Sequence, residues 1–246
     1  MGNFAGQTVL ISGATRGIGG AIAKAFLGQG AALIGLYGSN TKAAEEFVRE
    51  NHQYRGRISL HQCDIKDEKQ VVSLFEYIER EYGRLDVLVN NAGIRKDGLL
   101  ALMKPEDWKS VIDTNLNGTY LMSRQAVMLM MQHKYGRIIN ITSPVGRLGF
   151  PGQANYAASK AGQVAMTKSL AKEVARKKIT VNCISPGFID TDFIRDLPEQ
   201  QLKEYKKMVP VRRFGTPEEV AEAVLFLAGK TSGYITGTVL EISGGL

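Results

Sequence analysis

The sequence has 246 residues and carries 31 lysines and arginines against 24 aspartates and glutamates, so its formal net charge is +7. Hydrophobic residues make up 44% and charged residues 22% of the chain, an ordinary globular composition that excludes a disordered or fibrous protein. Two cysteines are too few for a disulfide framework, and the N-terminal apolar run is too short and too rich in glycine for a signal peptide or a membrane span. We therefore expect a cytoplasmic protein that does not bind a membrane.

The excess of positive charge has three interpretations: nucleic-acid binding, attraction of an anionic cofactor or partner, or solubility. The basic residues are scattered from Arg16 to Lys230, and the sequence carries no signature of a nucleic-acid-binding motif. We therefore expect no nucleic-acid partner, while the other two interpretations stay open.

Short apolar runs alternate with longer segments of helical periodicity along almost the whole chain. The predicted strands are residues 8–12, 31–36, 57–62, 87–90, 137–142, 180–184 and 239–242, and the predicted helices lie near residues 17–29, 41–51, 67–82, 105–133, 155–178 and 216–229. Most of the strands are continuously apolar, which is typical of a parallel sheet buried on both faces. The alternation predicts one doubly wound α/β domain over residues 1–246, with a mostly parallel seven-stranded sheet and helices on both faces.

The first predicted strand runs directly into a glycine-rich turn, in which Gly13, Gly17 and Gly19 have the spacing Gly-x3-Gly-x-Gly. In a nucleotide-binding turn the first glycine permits the tight bend, the second lets a phosphate approach the backbone, and the third allows the helix to pack closely on the strand. Exposed N–H groups and the helix dipole then attract a pyrophosphate. An ordinary tight turn is the alternative, but the position after the first strand of a βαβ unit favours a dinucleotide site.

The end of the second predicted strand indicates which nicotinamide cofactor is bound. A site selective for NAD places an acid there to hold the ribose 2′-hydroxyl, whereas residues 36–40 contain none and the next acid is Glu45. A 2′-phosphate would meet no repulsion at this place, and Arg16 could reach it as a charged donor. We predict NADP(H) rather than NAD; the alternative for Arg16 is a solvated loop cation.

Two later helix starts are marked in the sequence. Residues 104–107 place a proline and two acids in an opening turn. Residues 216–219 combine a threonine N-cap, a proline at the first helical position and a capping-box glutamate. Residues 186–215 form the one irregular stretch of the sequence and are rich in charge.

A hydroxyl, a phenol and an ammonium come together in the second half of the sequence. Tyr156 and Lys160 lie four residues apart on one predicted helix and share a face, and Ser143 follows the end of a predicted strand. A phenol with its ordinary pKa of about 10 transfers a proton poorly at neutral pH, and a nearby ammonium lowers that pKa. The three side chains suit acid catalysis on a carbonyl, although the Tyr–Lys spacing alone is more typical of a packed helix face with a solvated end.

Several short motifs recur in an order and spacing that cover nearly all of the sequence. They are SGATRGIG at 12–19, NNAG at 90–93, NLNGT at 115–119, ITS at 141–143, YAASK at 156–160, PGFIDT at 186–191, and ITG with GG near the C-terminus. Together they resemble the short-chain dehydrogenase/reductase family, and within it they are most similar to the 3-oxoacyl-[acyl-carrier-protein] reductases. SGA replaces the commoner TGA at the first turn. The resemblance implies a Rossmann-type domain.

The resemblance implies four catalytic residues. Tyr156 would donate a proton to the substrate carbonyl oxygen, and Ser143 would position that oxygen. Lys160 would lower the pKa of Tyr156 and hold the ribose hydroxyls of the nicotinamide. Asn115 would bind a water that links Lys160 to solvent.

The resemblance also implies the residues that bind the cofactor, and no metal site. Asn91, Ala92 and Gly93 would flank the adenosine ribose, with Asn91 alternatively stabilising the sheet. Asp64 would lie near the adenine or act only as a turn acid. The full predicted set is Gly13, Thr15, Arg16, Gly17, Ile18, Gly19, Ser39, Asp64, Ile65, Asn91, Ala92, Gly93, Tyr156, Lys160, Pro186, Gly187, and the carboxamide contacts Ile189 and Thr191.

The implied activity is NADPH-dependent reduction of a 3-oxoacyl thioester, linked to acyl carrier protein, in fatty-acid synthesis. Alternatives are a ketoreductase acting on an acyl-CoA, a polyketide or another small ketone, and, in a different class, a non-catalytic nucleotide-binding subunit. The row Lys168, Lys172 and Arg176 would attract an acidic carrier or form only a solvated face. The family also implies a lid at about residues 189–213 and a homotetramer.

Overall fold

The computed structural model describes residues 2–191, 194 and 198–246, and within them seven strands form one sheet. The strands are β1 (Thr8–Ser12), β2 (Ala32–Tyr37), β3 (Ile58–Gln62), β4 (Val87–Asn90), β5 (Gly136–Ile141), β6 (Ile179–Pro186) and β7 (Val239–Ile242). They lie in the order β3-β2-β1-β4-β5-β6-β7, and every neighbouring pair is parallel. The predicted seven strands and doubly wound α/β fold are confirmed, with strand ends displaced by at most two residues.

Nine α-helices connect or flank these strands in the described part of the chain. They are α1 (Gly17–Gly28), α2 (Thr41–Glu50), α3 (Glu68–Tyr82), α4 (Pro105–Ile112), α5 (Gly118–His133), α6 (Val145–Leu148), α7 (Ala154–Val174), α8 (Glu199–Met208) and α9 (Pro217–Ala228). The single helix predicted over 105–133 is divided, because a π-helical segment, Asp113–Asn117, separates α4 from α5. The stretch 186–215 is not irregular throughout, since it contains α8.

The sheet divides the core into two layers. Side chains alternate along β1, so that Val9 and Ile11 join the cluster under α1 and α9, while Leu10 joins the cluster under α3 and α5. All residues of β1, β4, β5 and β6 are buried. The continuously apolar strands are therefore explained by helices that cover both faces of the sheet.

The sequence signals at the start of α9 act as predicted. The Thr216 hydroxyl accepts a hydrogen bond from the Glu219 backbone N–H at 3.3 Å, and the Glu219 carboxylate accepts from the Thr216 N–H at 2.9 Å. Arg213 also donates to this carboxylate at 2.6 and 2.8 Å and lowers the pKa of Glu219 to about 2. The start of α9 is therefore fixed by a complete capping box and an ion pair.

The order of the strands fixes the place of the ligand site. The chain runs outward from β1 to β3, then returns to the other side of β1 and continues from β4 to β7. The connections after β1 and β4 therefore leave in opposite directions and open a crevice at the carboxyl ends of these strands. No helix in the described residues is long and apolar enough to cross a membrane.

Candidate active site

The glycine-rich turn opens this crevice. Gly13 and Gly17 have φ values of +68° and +52°, a left-handed backbone conformation that residues other than glycine rarely adopt. Gly19 faces the turn so closely that a Cβ there would overlap the carbonyl oxygen of Gly13. The helix that follows begins after Arg16 without a side-chain cap, so its first N–H groups face the crevice. This turn is a cradle for an anionic group such as a pyrophosphate.

Asn91 holds the cradle in place. Its side-chain amide donates to the carbonyl oxygens of Ser12 and Gly13, both at 3.0 Å. The Ser12 hydroxyl in turn accepts from the backbone N–H groups of Asn91 and Ala92, both at 3.0 Å. Of the two roles considered for the Asn91 side chain, the structure therefore supports stabilisation of the sheet ends, with its amide hydrogen bonds made to the protein.

An open cleft of about 450 Å³ lies beside the turn and is lined by Thr15, Arg16, Gly17, Asn40 and Thr191. Arg16 is exposed, and Ser39, at the end of β2, is exposed next to the cleft residue Asn40. Four acids also line the cleft: Glu46, which pairs with Arg49 at 2.9 Å, Glu50, which pairs with Lys24 at 3.1 Å, and Asp190 and Glu218. The cleft therefore presents an arginine, and no acid from the end of β2, to a ligand that extends past the turn.

The end of β3 is followed by two of the predicted cofactor residues, and both make contacts within the protein. The Asp64 carboxylate accepts from the Lys66 backbone N–H at 3.1 Å and from Lys66 Nζ at 2.6 Å, which makes it a turn acid. Ile65 is buried, and its side chain packs against Gly118 at the start of α5. Both residues lie at the same edge of the sheet as the crevice, but their contacts are structural.

Ser143 and Tyr156 form a hydroxyl pair at the carboxyl end of β5. Ser143 follows that strand, and its Oγ accepts from the Val145 N–H at 3.3 Å in the turn that leads into α6. Tyr156 lies in the first turn of α7, close enough to the Ser143 side chain for that hydroxyl to lower the pKa of Tyr156. The sequence prediction that these two side chains meet is therefore supported by the geometry of the site.

The Tyr156 hydroxyl lies among charges that act in opposite directions. Burial of the phenol raises the pKa of Tyr156 to about 12, and the hydrogen bond from Ser143 and the positive charge of Arg95 oppose that rise. Asp97 reinforces the rise, although its carboxylate is paired with Arg95 at 3.0 Å. Tyr156 is accordingly a fully protonated phenol at neutral pH.

Lys160 is buried one helical turn after Tyr156, and its ammonium makes two hydrogen bonds within the protein. Its Nζ donates to the Ile141 carbonyl oxygen at 2.8 Å and to Gln163 Oε1 at 3.1 Å. The ammonium lies 5.5 Å from the centre of the Tyr156 ring, and burial lowers the pKa of Lys160 itself to about 8. Burial is the largest influence on the pKa of Tyr156 in this structure and raises it, so the lowering by Lys160 stays a prediction.

Asn115 is fully buried in the π-helical segment between α4 and α5. Its side chain accepts from the Ile94 N–H at 2.8 Å and donates to the Ile94 carbonyl oxygen at 3.0 Å, which fixes the chain that follows β4. A Cβ added to Gly93 would lie 3.3 Å from Asn115 Oδ1 and 3.8 Å from Lys160 Nζ. The structure therefore brings Asn115, Gly93 and Lys160 together as the sequence motifs predict.

The carboxyl end of β6 forms the opposite wall. Gly187, directly after Pro186, donates its N–H to the Ile242 carbonyl oxygen at 3.0 Å, and Ile189 is buried and bridges to Gly215. Thr191 lies against the glycine turn, since a Cβ on Gly17 would be 3.7 Å from its methyl group. The predicted lid at 189–213 includes α8, while residues 192, 193 and 195–197 lie outside the described residues.

Four aromatic rings connect α8 to the site walls. Phe188 stacks on Tyr205 with ring centres 4.5 Å apart, and Phe150 packs edge-on against both at 6.3 to 6.4 Å. Phe214 packs against Phe188 at 6.2 Å. The predicted lid is therefore attached to the segments that follow β5 and β6.

Two polar residues of the site were missed in the sequence analysis. Arg95 has the largest effect of any charged residue on the pKa of Tyr156, and Gln163 accepts a hydrogen bond from Lys160. A signal for Gln163 exists, because a buried polar row recurs every four residues along α7: Asn155, Ser159, Gln163 and Thr167. Within the described residues no group of three or more histidine, cysteine or acidic side chains could hold a metal ion.

Known proteins resemble this chain along almost its whole length. A family model described as enoyl-(acyl carrier protein) reductase matches residues 13–246. The 3-oxoacyl-[acyl-carrier-protein] reductase FabG of Thermotoga maritima is 44% identical over 242 residues, which is 98% of each chain. The reductase of the same name from Escherichia coli K12 is 43% identical over 99% of this chain and 98% of its own. Nodulation protein G of a Rhizobium species is 41% identical over the whole of this chain and 99% of its own.

Proposed function

This chain belongs to the short-chain dehydrogenase/reductase family, and we propose that it reduces the 3-oxo group of an acyl thioester to a 3-hydroxy group with NADPH as the reductant. The observation that carries the proposal is the neighbouring pair of hydroxyls, Ser143 and Tyr156, at the carboxyl end of β5, on the crevice that the glycine turn opens. Relatives along the full chain are named for this reaction on acyl carrier protein.

The two hydroxyls have distinct roles in the reduction. The Ser143 hydroxyl donates a hydrogen bond to the substrate carbonyl oxygen and holds it beside Tyr156. The phenol keeps its proton at neutral pH, because the pKa of Tyr156 is about 12, and gives that proton up as negative charge develops on the carbonyl oxygen. The positive charge of Arg95, which favours the phenolate, assists at that moment. A substrate carbonyl thus meets one hydrogen-bond donor and one proton donor.

The residues of the crevice fit NADP(H), which when bound supplies the hydride. The cradle formed by Gly13, Gly17 and the uncapped start of α1 would take the pyrophosphate. Arg16 would bind the 2′-phosphate, and no acid from the end of β2 opposes it. Lys160 and Thr191 would hold the nicotinamide end.

The substrate is proposed to be carried by acyl carrier protein in fatty-acid synthesis in the cytoplasm. Lys168, Lys172 and Arg176 are exposed in one row along α7 and the turn that follows it, and offer a basic surface to an acidic carrier. The segment 189–213 would close over the acyl group, with α8 as its rigid part.

A homotetramer is also proposed for this protein. Large apolar side chains are exposed around α4 and α5, among them Leu102 at 79%, Met128 at 56% and Tyr120 at 50%. Contacts between copies of the chain would remove such surface from water. Sedimentation of the purified protein checks the oligomeric state.

An assay of cofactor oxidation tests the proposed function. Acetoacetyl-acyl carrier protein, acetoacetyl-CoA, a free 3-oxo ester and crotonyl-acyl carrier protein are each offered with NADPH and with NADH. We expect the carrier-linked 3-oxo substrate with NADPH to have the highest kcat/KM, and the crotonyl thioester, which has a double bond in place of the ketone, to be inactive. Reduction of the crotonyl thioester in preference to the ketone would overturn the proposal, as would cofactor binding without turnover of any ketone.

A further inference from the structure

The fully buried side chain of Gln163 connects Lys160 to the π-helical segment. It lies on α7 one turn after Lys160, and its Oε1 accepts a hydrogen bond from Lys160 Nζ at 3.1 Å. Its Nε2 donates to the Asn115 carbonyl oxygen at 2.8 Å and to Thr119 Oγ1 at 2.7 Å. One amide thus uses both of its ends, one on the ammonium and the other on the Asn115 carbonyl oxygen and the Thr119 hydroxyl.

Packing alone does not require an amide at this position. The Asn115 carbonyl oxygen already accepts a hydrogen bond from Thr119 Oγ1 at 2.7 Å, and Lys160 already donates to Ile141. A buried amide loses its hydration, a free-energy penalty that its hydrogen bonds must offset. An apolar side chain of similar length would fill the volume without that penalty. The amide therefore indicates a requirement of the group it contacts, the Lys160 ammonium.

The surroundings of Lys160 contain little else that favours its charged form. The titratable groups that act on it are Tyr156, whose ring centre lies 5.5 Å from Nζ, and Cys183 of β6. The uncharged neighbours of the ammonium are the Ile141 carbonyl oxygen, which accepts from Nζ at 2.8 Å, and Gly93, where an added Cβ would lie 3.8 Å from Nζ. Burial lowers the pKa of Lys160 to about 8. A hydrogen-bond acceptor placed on a buried ammonium favours its charged form. Gln163 supplies one such acceptor.

We infer that Gln163 is a positioning residue for the proposed reduction, which holds the Lys160 ammonium charged and in place through a hydrogen bond anchored on the backbone of Asn115. The inference rests on the proposed function, in which Lys160 acts as a cation on the cofactor side of the site. It adds a residue that none of the sequence motifs used for the fold and the site contains. Without Gln163 the ammonium would keep the Ile141 carbonyl oxygen as an acceptor. It would lose its second hydrogen bond, to Gln163 Oε1, which fixes its position.

The substitution Gln163→Met tests the inference in the cofactor-free protein. Methionine keeps the length of the side chain and removes the acceptor. The Lys160 Cε signal, followed by NMR in protein with labelled lysine and assigned with Lys160→Arg, reports the pKa directly. We expect the pKa of Lys160 to fall by about one unit in Gln163→Met, because a hydrogen bond to the charged form is lost. In Gln163→Glu, which keeps an oxygen towards the ammonium, the pKa should equal or exceed that of the wild type.

Ser123→Ala is the matched control, because Ser123 is a buried hydroxyl on α5 that accepts from Asn90 at 3.0 Å. This variant should lose stability without a change in the Lys160 pKa. An unchanged Lys160 pKa in Gln163→Met would overturn the inference and leave Gln163 a structural residue. If Gln163→Met does not fold, a lowered pKa in Gln163→Glu overturns it instead.

Turnover gives a second readout that separates this inference from the proposed function. In the active enzyme we measure kcat as a function of pH. We expect the fall of kcat at alkaline pH to begin at lower pH in Gln163→Met, by the same amount as the Lys160 pKa is lowered. A wild-type protein that reduces no thioester would contradict the proposed function, while the NMR titration would still decide the role of Gln163. A shifted Lys160 pKa without a shifted pH dependence of kcat would contradict the role of Gln163 in the reaction.

Discussion

At the scale of single residues, the site places two ionisable side chains of one helix in surroundings that disfavour charge. Burial raises the pKa of Tyr156 to about 12 and lowers that of Lys160 to about 8, so that both are protonated at neutral pH. In the proposed reduction the phenol therefore keeps its proton until the substrate oxygen becomes negative. Ser143 and Arg95 reduce the cost of forming the phenolate at that moment.

The substitution Tyr156→Phe removes this proton donor and keeps the ring. We expect kcat to fall by about 10²- to 10⁴-fold, the usual contribution of a general acid. The Kd for NADPH, measured by fluorescence titration, should change little, because the cradle at the glycine turn is untouched. Turnover within a few-fold of the wild type would show that Tyr156 is not the proton donor.

At the scale of elements, the turn from β1 into α1 shows which features of the site can be read from sequence. The glycine spacing predicted a phosphate-binding turn, and the structure has Gly13 and Gly17 at positive φ with Gly19 against the Gly13 carbonyl. The local sequence encodes this turn because the conformation itself demands glycine.

The π-helical segment Asp113–Asn117 could not be read from the sequence in the same way. Its periodicity continues that of α4 and α5, and it is fixed by distant partners: the Asn115 side chain bonds Ile94, and its carbonyl oxygen accepts from Gln163. The contact of Lys160 with Gln163 likewise depends on how α7 packs. Sequence motifs identified the residues of the site, but tertiary contacts decide which atoms meet.

The substitution Gly19→Ala tests the glycine turn as a structural unit. A Cβ there would overlap backbone atoms of Gly13, so the turn must open. We expect a loss of about 1–3 kcal/mol in the free energy of unfolding, measured by urea denaturation, and a large rise in the Kd for NADPH. The matched control is Gly56→Ala, away from the cleft, where a Cβ would have no neighbour within 4 Å and φ is not positive. Equal effects of the two substitutions would contradict the close packing at Gly19.

At the scale of the whole molecule, the basic residues behind the net charge of +7 lie on separate surfaces, to which we assign different roles. Arg16 lies at the cleft beside the glycine turn, whereas Lys168, Lys172 and Arg176 lie exposed along α7 and the turn after it. Many of the other basic residues are paired on the surface, such as Lys24 with Glu50. The composition excluded a disordered or fibrous protein. The positions of the basic residues in the fold suggest which anionic group each would bind.

A triple charge reversal, Lys168→Glu with Lys172→Glu and Arg176→Glu, tests the basic row as a carrier surface. We expect the KM for acetoacetyl-acyl carrier protein to rise by about tenfold at low salt, with less effect at high salt, because screened charges attract the carrier less. The KM for acetoacetyl-CoA should be nearly unchanged. Lys42→Glu with Lys69→Glu and Arg80→Glu, exposed on α2 and α3, is the control of equal charge. If both triple variants raised this KM equally, the attraction of the carrier would depend on the net charge of the protein and not on the basic row.

The hydrogen bonds of Asn91 and Ser12 have a consequence for the order of events at the crevice. They join the carboxyl ends of β1 and β4 within the protein itself, so the cradle is assembled before any ligand enters. A preassembled cradle spends none of the binding free energy on ordering the backbone. The slow step of cofactor association should therefore be diffusion and loss of water from the crevice, and the amide protons of Asn91 and Ala92 should exchange slowly in the cofactor-free protein.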